Sequence, residues 1–92
     1  MIDPRIPRRK LFRMLLAERD WMQADLARGI GISRPRLNGI INGKFRISLM
    51  HALALEALEF GNYTAEDWME WQLKQELAEL RKNKERDSGG KR

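Results

Sequence analysis

Apolar residues return every three or four positions over most of this chain and almost nowhere alternate with period two. That spacing stacks side chains on one face of a helix and argues against half-buried strands. It predicts an all-α fold of five helices. Pro4 and Pro7 keep the first residues extended, and helix 1 follows over about Arg8–Arg19. Leu11, Phe12, Met14 and Leu15 form its inward face, and Asp20 closes it. Helix 2, about Gln23–Arg28, offers Ala24, Leu26 and Ala27 to the core, and Gly29, Ile30, Gly31 and Ile32 make a turn. Ser33 caps helix 3, Arg34–Ile41, whose first turn holds Pro35 and whose end is marked by Asn42-Gly43. Ser48 caps helix 4, Leu49–Glu59, with an apolar stripe through Leu49, Leu53, Leu55 and Leu58. After a break at Gly61-Asn62, Thr64-Ala65-Glu66-Asp67 reads as a capping box that opens a last, longer helix running to about Lys82.

This pattern implies one domain, residues 1–80, with a C-terminal dimerisation helix, followed by a flexible basic tail over 81–92. Met69, Leu73, Leu77 and Leu80 mark a stripe on the last helix, with Trp68 and Trp71 beside it. The stripe continues past what a small bundle needs for its core, so its four residues are expected at a homodimer interface, with Trp68 and Trp71 in the core or at that same interface.

Two helices joined by a short glycine-containing turn most often only pack together, so helix 3 needs a closer look. Leu26, Ala27, Ile32, Leu37 and Ile40 are spaced to lock it onto helix 2. Its other side presents Arg34, Arg36, Asn38 and Gly39. Arginines at the start of a capped helix suit base edges in a major groove, and Arg34 leads as a bidentate partner for guanine. Asn38 suits adenine, and Gly39 leaves room for close approach. Gln23, Ser33, Asn42, Lys44 and Arg46 flank that surface and are expected on the DNA backbone. Arg8, Arg9 and Lys10 serve equally well as phosphate contacts or as solubilising charge.

Charge sharpens this division. Residues 1–47 carry 11 Lys/Arg against 4 Asp/Glu, residues 48–80 carry 1 against 7, and residues 81–92 carry 6 against 2. A basic N-terminal half suits a polyanion, and the acidic stretch should face away from it. With no cysteine and a single histidine, His51, neither a metal site, a cofactor nor a catalytic centre is expected. No apolar run is long enough to span a bilayer and no signal pattern opens the chain, so a cytoplasmic location is expected.

The run Gln23-Ala24-Asp25-Leu26-Ala27, through Gly31-Ile32-Ser33, to Ile40-Ile41-Asn42-Gly43-Lys44 resembles the lambda-repressor-like (XRE) helix-turn-helix. Trp21-Met22-Gln23, Ser33-Arg34-Pro35-Arg36-Leu37-Asn38 and Asp67-Trp68-Met69-Glu70-Trp71-Gln72 bring it nearest the HigA-type antitoxin branch and related phage and plasmid regulators. The resemblance covers about Pro7 to Gln72. It implies a five-helix DNA-binding domain and an autorepressor that reads double-stranded DNA. It also implies, as an alternative, that the acidic half binds and neutralises a basic, mRNA-cleaving toxin.

Overall fold

The structure, a computed structural model, describes residues 1–90, with side chains described as far as Lys84. Among these residues lie five α-helices and no strand: α1 (Arg8–Arg19), α2 (Gln23–Ile30), α3 (Arg34–Ile41), α4 (Leu49–Ala57) and α5 (Ala65–Gly90), with a 3-10 turn over Phe60–Asn62. Local chemistry sets most of these starts. The Ser33 hydroxyl accepts from the Arg36 N–H at 3.2 Å, and the Ser48 hydroxyl accepts from the His51 N–H at 3.1 Å. At α5 the Thr64 hydroxyl accepts from the Asp67 N–H, while the Asp67 carboxylate accepts from the Thr64 N–H at 3.0 Å. That second bond holds the Asp67 carboxyl below its ordinary pKa.

Several boundaries and faces differ from the expectation. α2 continues to Ile30, because the stop is Gly31, whose backbone sits in the left-handed region at φ 76°. α5 runs on to Gly90 rather than ending near Lys82. Its added residues, 83–90, include four charged residues and no proline, so every one of them keeps the backbone N–H that a helix needs. The flexibility expected for 81–92 falls partly on residues outside the described ones. In α1 the buried face is Leu11, Phe12, Leu15 and Leu16, and Met14 is exposed. Ala24 is also exposed. In α4 the core residues are Ala52 and Leu55, whereas Leu49 and Leu53 face outward. The small Ala52 lets α4 approach its neighbours closely, and a leucine on that side would hold the helices apart.

The core is organised by an aromatic cluster. The Trp68 ring lies 6.1 Å from Phe60 and 5.5 Å from Phe12, and Tyr63 and Trp71 meet it edge-on at 5.8 and 5.9 Å. Offset and edge-to-face pairs of this kind add to simple area burial. Trp68 is 0% and Trp71 1% exposed. Neither can belong to a dimer interface: one turn of α5 drives both indoles into the bundle, where the apolar area they remove from water outweighs two buried indole N–H groups without a partner. The N-terminal segment joins the same core through Ile2, which is 2% exposed. Trp68→Ala should cost about 3–5 kcal/mol of folding free energy. Urea unfolding checks this, and an unchanged midpoint would refute the anchoring role.

Candidate nucleic-acid interface

α3 meets the core through Leu37, Gly39, Ile40 and Ile41. The period of 3.6 residues then leaves Arg34, Asn38 and Asn42 on one exposed stripe. The stripe is internally organised. Asn42 Nδ2 donates to Asn38 Oδ1 at 2.9 Å, and Asn38 Nδ2 reaches Gln23 Oε1, at the start of α2, at 3.5 Å. α2 itself begins where the Asp25 carboxylate accepts from the Met22 N–H at 2.8 Å. That bond and the nearby Arg28 lower the Asp25 pKa. Gln23, Asn38 and Asn42 line a cleft of about 210 Å³ between the two helices and α1, and Arg9 and Arg13 form its cationic side. A cleft with two guanidinium groups and three amides suits a phosphodiester oxygen.

Arg36 belongs to a different arrangement. Its guanidinium stands 4.6 Å from the centre of the Phe45 ring. Phe45 in turn packs directly on Gly39, where an added Cβ would collide with the ring. Gly39 therefore does not open the helix to DNA as expected from the sequence. Its missing side chain is the seat of Phe45, and Phe45 is the platform of Arg36. The Lys44 and Phe45 N–H groups both donate to the Gly39 carbonyl, at 2.8 and 3.2 Å, so the chain turns tightly after α3.

The remaining expected residues divide. Lys44 and Asn42 are exposed, and the exposed Ser33 spends its hydroxyl on the helix cap. Arg46 is held by α5: its Nε and Nη2 donate to the Glu76 carboxylate at 2.6 and 3.1 Å, so it faces the acidic helix rather than standing free for phosphate. Arg8 turns inward and donates to the carbonyls of Ile40 and Phe45 at 3.1 and 3.2 Å. Burial lowers its pKa. Its reading as a phosphate contact gives way to that of a brace between α1 and the exit of α3. Burial, and then the charge of Arg36, also hold the His51 pKa below the ordinary value, which disfavours its charged form.

A profile of the Cro/C1-type helix-turn-helix DNA-binding domain matches residues 12–57, half of the chain. The chain belongs to this Cro/C1-type family. No curated protein matches it. Among solved structures it is similar to a protein from Nostoc punctiforme that is provisionally described as an antidote protein of a plasmid maintenance system. The two are 25% identical, the match covers 95% of this chain and 94% of the other, and the TM-score is 0.76. Among the described residues no group of three or more His, Cys, Asp and Glu is placed to hold a metal, and no helix is long and apolar enough to cross a membrane.

Within this Cro/C1-type domain, two contributors escaped the sequence reading. Arg13 has a legible signal, since it follows Arg9 by four residues and so shares its helix face. Phe45 has none, because nothing in the sequence says which ring a helical glycine will receive. Gly39→Ala should cost about 1–3 kcal/mol by forcing that ring aside. Denaturant unfolding measures the cost, and wild-type stability would contradict the packing described.

Proposed function

We propose that this Cro/C1-type domain is a sequence-specific, non-catalytic transcriptional regulator, a cytoplasmic homodimer that represses its own promoter by occupying a palindromic operator. The observation that carries the reading is the exposed Arg34–Asn38–Asn42 stripe on a capped helix, continuous with the Arg9/Arg13/Gln23 cleft. Arg34 then reads guanine O6 and N7 in the major groove, a contact worth about 1–3 kcal/mol of discrimination. Asn38, already oriented by Asn42, reads an adjacent base. Gln23, Arg9, Arg13, Asn42 and Lys44 hold the phosphates on either side. Arg36, on its Phe45 platform, serves as a second base or phosphate contact. Repression by occlusion needs no effector domain.

Dimerisation is proposed through the outer face of α5. Leu73 and Leu80 are 52% and 64% exposed, and Leu77 and Met69 are half-buried beside them. A two-fold dimer would set the two copies of α3 about one DNA turn apart, roughly 34 Å. A second reading is favoured by the likeness to the Nostoc punctiforme protein and by the acidic stretch over residues 48–80. In it the same chain neutralises a basic, mRNA-cleaving toxin. A short adjacent reading frame for such a protein, whose toxicity this chain relieves on co-expression, would support it, and its absence would favour a stand-alone regulator.

Arg34→Ala should weaken binding to the DNA upstream of the chain's own gene about tenfold or more while leaving unfolding unchanged. Fluorescence anisotropy titration reads the effect, and wild-type affinity would refute the base-reading role. Sedimentation at tens of micromolar should show a dimer that Leu73→Asp with Leu80→Asp converts to monomer. A monomeric wild-type chain would remove the dimer from the account.

A further inference from the structure

Among the described residues, Gln72 is the buried polar side chain, 0% exposed. A primary amide taken fully out of water is costly unless its donor and acceptor are both paired. Here both go to one residue. Gln72 Oε1 accepts from the Ile47 N–H at 2.6 Å, and Gln72 Nε2 donates to the Ile47 carbonyl at 2.9 Å. The side chain thus clasps Ile47 as a neighbouring strand would, with no sheet present.

The position of Ile47 gives the clasp its consequence. It ends the segment that leaves α3, directly after Lys44, Phe45 and Arg46 and directly before the Ser48 cap of α4. The other end of that segment is fixed by the Gly39 carbonyl. Its path is therefore held from three sides: by the Gly39 carbonyl of the recognition helix, by Arg8 of α1 at the Phe45 carbonyl, and by Gln72 of α5 at Ile47, the last point before α4. The next turn of α5 adds to this hold through Glu76, which pairs with Arg46, while Gln75 Nε2 donates to the Ile6 carbonyl at 2.6 Å and ties the helix to the N-terminal segment. Nothing else described donates to or accepts from the Ile47 backbone outside helices.

We infer that Gln72 is a positioning residue for DNA binding: by clasping Ile47 it fixes the segment that presents Lys44 to a backbone phosphate and Phe45 to Arg36. The inference rests on the DNA-binding reading above. It makes α5 a determinant of DNA affinity even though the helix need not touch DNA.

The test uses the full chain and a duplex from upstream of its own gene. Gln72→Met keeps the length of the side chain and removes both bonds. It should bind about tenfold more weakly, with a salt dependence shallower by about one unit of slope, the signature of one lost phosphate contact. Gln72→Glu supplies a second, reversible arm. Its protonated carboxyl can still accept from the Ile47 N–H and donate to the carbonyl, whereas its ionised form sets negative charge against that carbonyl oxygen. Burial raises the pKa of such a carboxyl. Its affinity relative to wild type should therefore recover as pH falls toward about 5, whether or not Gln72→Met folds. A folded Gln72→Met with wild-type affinity and slope, or a Gln72→Glu deficit that ignores pH, overturns the inference while leaving the DNA reading intact. Absence of sequence preference in the unsubstituted chain overturns both.

Discussion

Burial of one face of α5 against the rest of the bundle is the constraint on which the other features rest. Trp68 and Trp71 fill the centre, and Phe12, Phe60 and Tyr63 close around the first of them. Gln72, the next residue along, can satisfy its amide in that dry interior only by pairing with backbone. The aromatic burial and the polar clasp are therefore one event. Apolar area draws the helix in, and hydrogen bonding selects the register at which it stops. The exit of α3 is tied to the outcome through Ile47, and the N-terminal segment through the Gln75 bond to Ile6.

Charge is arranged around this frame rather than creating it. The Arg46–Glu76 pair joins the basic half to the acidic half, yet Arg46 is exposed and Glu76 only half-buried, and pairs so open to solvent contribute about 0–1 kcal/mol. What the segregation does is leave Arg34 and the Arg9/Arg13 cleft cationic, while Glu76 and Glu79 of α5 line a separate cleft with Arg8, Arg46 and the far end of the stripe at Asn42. A field of that kind speeds the approach of a polyanion and orients it before any base is read. In the proposed function, base reading is left to Arg34 and Asn38. Asn38 is pre-ordered by its two amide neighbours, so less side-chain freedom is lost on contact.

Much of the fold was legible because its helix starts are written in local chemistry. Ser33, Ser48 and Thr64 each cap where the pattern places them, and α1 and α3 have the expected bounds. The helix faces were less legible. α4 is apolar nearly all round, so its buried side was decided by which residue permits close packing, and Ala52 won over Leu49 and Leu53. Beside the α5 stripe, Trp68 and Trp71 suited core or interface, and the core took them because an indole contributes more inside a small bundle than any leucine. The placement of Arg34 and Asn38 on the outer face of α3, and of Gln23 at the start of α2, was readable from helix period and capping. The pairing of Arg46 with Glu76 and the seating of Phe45 on Gly39 were not, because both depend on segments that meet only after folding.

The central claim is that the α3 stripe reads sequence. Selecting bound fragments from a pool of random duplex DNA tests it most directly. The account predicts enrichment of a palindrome with half-sites about one helical turn apart and a guanine in each half. Recovery of no common sequence, with uniform and strongly salt-dependent binding to every duplex, would contradict it.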